Sequence, residues 1–200
     1  MKRKLLAAFF CCASLQLAAQ NLVPNPQFEL LRPSSKEYTF QNPQMDKNEK
    51  TCNDFANALF RYSPAQNWTI WLGSADCRNG VMTELVSASS NCVPPWPNFV
   101  MKNMMHVKTT GGGQGIVNTD IPGGTALVKI TCWVYVIKGK VDFAYGPTGT
   151  GIVRAFSTTN CKWEKLEMIK KGTEACNQIT VYSKDADAEF YIDAVSVIKM

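Results

Sequence analysis

The amino-acid sequence predicts an all-β sandwich, and three observations carry that expectation. About ten short segments rich in β-branched and aromatic residues recur at the 8–12-residue spacing of sandwich folds, with Gly, Pro and Asn between them. Residues 126–137 alternate cleanly: Ala126, Val128, Ile130, Cys132, Val134 and Val136 share one parity, and Leu127, Lys129, Thr131, Trp133, Tyr135 and Ile137 the other. That pattern is a strand with one dry face and one mixed face. Strands and helices do not alternate along the chain, which excludes a doubly wound α/β fold.

The chain has 200 residues, the length of one domain. Residues 1–20 read as a signal peptide: Lys2, Arg3 and Lys4 are basic, 5–17 are apolar apart from Ser14 and Gln16, and Ala18-Ala19 offer a cleavage site. The apolar run is shorter than the roughly 20 residues a spanning helix needs, so no transmembrane segment is expected. Cys11 and Cys12 raise the question of lipidation, but Phe9-Phe10 precede them rather than small residues. The expected location is secreted, periplasmic or cell surface. Removing Lys2, Arg3 and Lys4 takes the formal net charge from +5 to +2. The mature chain, 21–200, carries no basic cluster that would track a phosphate backbone, so nucleic acid is not an expected partner.

Residues 21–30 are predicted as an opening strand, with Pro24 and Pro26 holding its first half extended. A polar stretch follows, the start of an insertion at about 32–65. Within it, Thr51 and Asp54 open a short amphipathic helix through Phe55, Ala58, Leu59 and Tyr62, which Pro64 ends. Strands follow at 68–72 and 81–86. The stiff Pro94-Pro95-Trp96-Pro97 loop cannot sit inside a central strand. Segments 99–109 and 116–117 flank Gly111-Gly112-Gly113-Gln114-Gly115, read as a hairpin turn. This run lacks the Gly-Lys-Ser/Thr ending of a phosphate-binding loop and opens no helix. Further strands are predicted at 141–145, 152–156, 163–169 and 177–182. The last, 188–198, slips in phase: Phe190 and Ile192 share one parity, Val195 and Val197 the other. A β-bulge at Asp193-Ala194 produces that slip. It leaves a lone acid inside an apolar run, in need of backbone donors, a cation or solvent.

Six cysteines follow the signal peptide: Cys52, Cys77, Cys92, Cys132, Cys161 and Cys176. In an exported chain they imply up to three disulfides. The expected pairs are Cys77–Cys92, and Cys132 with Cys161 or Cys176. The only histidine is His106, set in an apolar strand, and no Gly-x-Ser-x-Gly motif accompanies it. The chain is therefore not expected to be an enzyme. Sugars stack on exposed aromatic faces, so Trp133 and Tyr135 on the mixed parity, with Trp96 and Trp71, are the candidate ligand-binding residues.

Several segments resemble galactose-binding-like domains, in particular carbohydrate-binding modules of the CenC type. They are Asn21-Leu22-Val23-Pro24-Asn25-Pro26-Gln27-Phe28-Glu29 at the start, Val107-Lys108-Thr109-Thr110-Gly111, the long strand at 129–138, Lys162-Trp163-Glu164-Lys165-Leu166, and the closing Phe190-Tyr191-Ile192-Asp193. The resemblance implies a jelly-roll β-sandwich that binds a glycan or cell-surface polysaccharide without catalysis. It also implies a structural calcium near the first and last strands, with Glu29 and Asp193 at the matching positions; hard oxygen ligands suit that ion. The alternative function is a structural, adhesion or protein-interaction sandwich that binds no sugar.

Overall fold

The computed structural model describes residues 20–31, 63–71, 81–87, 102–146, 151–172 and 177–200. Ten strands occur among them: β1 (Thr69–Trp71), β2 (Val81–Ser87), β3 (Asn103–Thr109), β4 (Gly115–Ile121), β5 (Leu127–Lys138), β6 (Val141–Tyr145), β7 (Val153–Phe156), β8 (Trp163–Lys171), β9 (Asn177–Ser183) and β10 (Glu189–Lys199). They form two five-stranded sheets, β1-β4-β9-β6-β7 (the first) and β2-β3-β10-β5-β8 (the second). Every pairing is antiparallel. One core joins the sheets: Ile116, Phe143 and Val181 from the first meet Val107, Ile130, Phe190 and Ile192 from the second. Each such side chain stabilises by about 1.5–3 kcal/mol when fully buried.

The alternation at 126–137 holds as read. Val128, Ile130, Cys132, Val134 and Val136 are buried in the core, while Trp133 and Tyr135 are half-buried on the outer face. The bulge also lies where the phase slip placed it. The β10–β5 register shifts between Asp193 and Ser196, and Ala194 sits at φ 48°.

Three expectations are corrected. Residues 21–30 do not form a strand; a single bridge, Asn21 to Ile198, is followed by turns. Asn25 and Phe28 take φ 47° and 55°, and left-handed backbone cannot continue a pleat. The glycine run at 111–115 is not a hairpin turn: β3 and β4 lie in different sheets, so it crosses the sandwich. Cys132 and Cys161 are not bonded, and both are free thiols. The phase of β5 sends Cys132 into the core, while Cys161 is exposed.

Residues 1–19 of the expected leader with Cys11 and Cys12, most of the expected insertion where a helix was predicted, Cys52, Cys77, Cys92, Cys176 and Trp96 lie outside the described residues. Among the described residues, no helix is long and apolar enough to cross a membrane.

Gly115 holds β4 close to β9. A Cβ there would lie 2.0 Å from the Val181 carbonyl oxygen and 2.6 Å from Tyr182 Cα. Both are backbone atoms and cannot swing aside. Gly115→Ala is expected to cost at least the 1–3 kcal/mol or so of an overpacked core. Urea denaturation measures it; an unchanged midpoint would show that the strands separate freely there.

Candidate functional site

The two chain ends meet beside the bulge. β3 pairs with β10 only over Glu189 to Ile192. Beyond that point the opening segment bonds the vacated edge. Leu22 N donates to Val197 O (2.8 Å) and Val195 N to Pro26 O (3.0 Å). The Asn21 side chain donates to Val195 O (3.0 Å) and accepts from Val197 N (3.0 Å). Glu29 then caps the start of β3: its Oε1 accepts from Lys102 N (2.9 Å) and Asn103 N (3.2 Å), and its Oε2 from Asn103 Nδ2 (3.3 Å).

Asp193 is 0% exposed. Its Oδ1 accepts from Ala194 N (2.6 Å), and its Oδ2 has no hydrogen-bond partner. Burial pushes its carboxyl up to about 8; the Ala194 N–H opposes this, and the negative charge of Glu29 adds to it. The two acids paired by resemblance are therefore electrostatic neighbours. An orphaned buried oxygen beside a second carboxylate fits a hard cation as the missing partner. Among the described residues no cluster of three or more potential metal-ligating side chains occurs, so the remaining donors would be carbonyls or water.

The outer face of the first sheet carries a row in register across all five strands: Trp71, Gly115, Tyr182, Asp142 and Phe156. Strand alternation puts it there, because Ile70, Ile116, Val181, Val141 and Phe143 take the core side. The next row is small and low: Thr69, Val117, Thr180 and Ala144, ending in Arg154. Val117, Thr180 and Ala144 in that row are buried, so the short side chains are covered. Arg154 Nη1 donates to Asp142 Oδ2 (2.5 Å) and to the Tyr182 hydroxyl. The Asp142 side chain is 5% exposed and that of Arg154 40%. Burial lifts the Asp142 carboxyl above its usual range, against the pull of the Arg154 guanidinium. A buried acid thus aims a half-exposed guanidinium, whose other N–H groups can serve a ligand's oxygens.

Trp133 and Tyr135 lie on the outer face of the second sheet. Tyr135 belongs to another row that crosses all five strands: Glu84, His106, Tyr191, Tyr135 and Trp163. Its rings contact one another. His106 stacks on Tyr191 at 4.6 Å, Tyr135 meets Tyr191 edge-on at 6.4 Å, and Trp163 meets Tyr135 at 5.6 Å. His106 Nε2 lies 3.1 Å from Glu189 Oε1, and its Nδ1 is 3.8 Å from Glu84. Trp133 stands one row along, between Asp193 and Lys165.

The predicted ligand residues are therefore split. Trp133 and Tyr135 share one sheet, and Trp71 is on the opposite side of the sandwich. Tyr182, Arg154, Asp142 and Phe156 were not among the predicted candidates. Their strands were legible, but which strands neighbour one another was not, and only that order lines them up with Trp71.

No family model matches the sequence, and no curated protein matches it. Several solved structures show some similarity. One is the family 11 carbohydrate-binding module of the cellulosomal cellulase Lic26A-Cel5E of Clostridium thermocellum, at 17% identity over 71% of this chain and 93% of that one, TM-score 0.46. Another is TmCBM61 in complex with beta-1,4-galactotriose, at 12% identity over 91% and 100%, TM-score 0.48. A third is the CBM22-1–GH10 part of xylanase 10B of Clostridium thermocellum complexed with xylohexaose, at 11% identity and TM-score 0.47. It is covered over 66% of this chain but only 26% of the xylanase chain.

Proposed function

We propose that this chain is an exported, non-catalytic sugar-binding module with a galactose-binding-like jelly roll, and that it takes its glycan across the outer face of the first sheet. The observation that carries this is the row Trp71, Tyr182 and Phe156 with Arg154 held among them by buried Asp142. Aromatic faces take the apolar side of a pyranose, and a fixed guanidinium serves its hydroxyls. The basic-then-apolar leader supports export.

Calcium belongs to the same reading as a structural ion. Asp193 Oδ2 and the spare lone pair of Glu29 Oε2 would hold it, and its charge would neutralise two neighbouring acids where the chain ends meet. It would stiffen the sandwich and would not touch the sugar.

A second platform is kept for one reason: Trp133 and Tyr135 are half-buried on a solvated face beside Lys165. Its rings spend surface on each other, as Tyr182 and Phe156 on the first sheet lend a face to Arg154 and to the two lysines; the guanidinium held by buried Asp142 favours the first sheet. A glycan array with and without calcium tests both. Trp71→Ala is expected to weaken retention about tenfold or more, the loss of roughly 1.4 kcal/mol of stacking, with the melting temperature unchanged. If Trp133→Ala abolishes retention and Trp71→Ala does not, the platform is the second sheet. Retention of no glycan at all would favour the alternative, an adhesion or protein-interaction sandwich.

A further inference from the structure

We propose that the glycan is acidic, a polysaccharide whose pyranose rings carry carboxylates, and that Lys140 and Lys184 receive the carboxylate. This rests on the reading of the first sheet's outer face as the sugar platform.

Lys140 leads into β6 and Lys184 follows β9. Their backbones are tied, Lys184 N donating to Lys140 O at 2.8 Å. Their ammonium groups converge on one ring: Lys184 Nζ is 4.5 Å and Lys140 Nζ 5.7 Å from the Phe156 centroid. Phe156 ends the aromatic row on edge strand β7. The ring's quadrupole attracts each cation but cancels neither charge, and the two ammonium groups repel one another. Among the described residues, neither forms an ion pair, although Asp185 adjoins Lys184 in sequence. On the second sheet Lys108, Lys129, Lys138 and Lys165 each reach a carboxylate, while Lys170, Lys171 and Lys199 form no ion pair among the described residues. Asp142, itself in the row, is buried and engaged by Arg154.

The platform thus ends in two cations that form no salt bridge, although the Asp142 carboxyl feels both the Lys184 charge and that of Asp185. A uronic-acid ring carries its carboxylate at the ring edge. A pyranose lying against Tyr182 along the row extends that edge toward Phe156, where two ammonium groups can each donate a charge-assisted hydrogen bond. A neutral sugar offers the two ammonium groups hydroxyls but no anion.

The test is titration of the full chain with polygalacturonate, alginate and hyaluronate, with the methyl-esterified form of each, with neutral xylan and with dextran sulfate. The uronate polymers are expected to bind at least tenfold more tightly than their esters, and added salt should weaken that binding. Lys140→Gln with Lys184→Gln should remove the preference while leaving the melting temperature and any neutral-glycan binding unchanged. If esters or xylan bind as tightly as the uronates, or the double variant keeps its preference, the inference fails while the platform stands. Binding of dextran sulfate without the uronates also overturns it. Binding of no polysaccharide brings down both readings.

Discussion

Asp193→Asn is expected to flatten the pH dependence of stability in calcium-free buffer. Asp193 ionises near 3.8 when unfolded and at about 8 when folded. Below the first value both states are protonated and the group contributes no difference. Between the two, the folded state keeps a proton that the unfolded state has released, so stability falls as pH rises from about 4 to about 8. Each tenfold change in proton affinity is worth about 1.36 kcal/mol, so the fall is on the order of 5 kcal/mol. The neutral amide has no such proton to lose, so the variant should gain on the wild type steadily through that window. Calcium should reverse the fall in the wild type near pH 8, because it binds the ionised form and only in the folded state. It should leave the variant unmoved. Thermal melts from pH 4 to pH 9, with chelator or with calcium, measure both. A wild type equally stable at pH 5 and pH 8 would show that Asp193 is already ionised in the fold, and no calcium response would remove the ion.

Trp68→Ala is expected to cost about 3–5 kcal/mol, enough to unfold much of the population of an ordinary domain. Trp68 is fully buried against Phe28, with centroids 4.9 Å apart, and its indole N–H donates to the Asn25 carbonyl at 3.0 Å. It clasps a segment that holds two left-handed residues, each costing about 1–3 kcal/mol. The Asn25 side chain completes the clasp, donating to Leu30 O (2.9 Å) and Gln66 O (3.0 Å) and accepting from Leu30 N (2.9 Å). Urea denaturation reads the loss. Trp68→Phe should retain most of the stability, since it keeps the ring against Phe28 and loses one hydrogen bond of about 1 kcal/mol. A cost for the alanine variant below that single bond would show that the clasp is ornamental to the fold.

Where one strand decides its own pattern, the structure was legible in advance. The parity of β5 follows from a period of two, and the bulge at Asp193-Ala194 from a break in it. The nearness of Glu29 and Asp193 was legible only through resemblance, since 164 positions separate Asp193 from residue 29 and no local rule spans that distance. The opening segment misled because Pro24 and Pro26 read as extended chain. Its geometry is set by Asn25 side-chain bonds to residues up to 41 positions away. Trp133 and Tyr135 are outward as their parity predicts, on a sheet whose rings lean on each other.

By itself the sequence determined the class of fold, the strand faces and the site of the bulge, because each depends on alternation within a few consecutive residues. The tertiary structure alone decided which strands are neighbours. That order aligns Trp71, Tyr182, Asp142 and Phe156 from four separate strands, gathers Lys140 and Lys184 over one ring, and leaves Cys132 and Cys161 unbonded. Strand order is a choice among many pairings of similar local pattern, settled by which arrangement closes both sheets over one core.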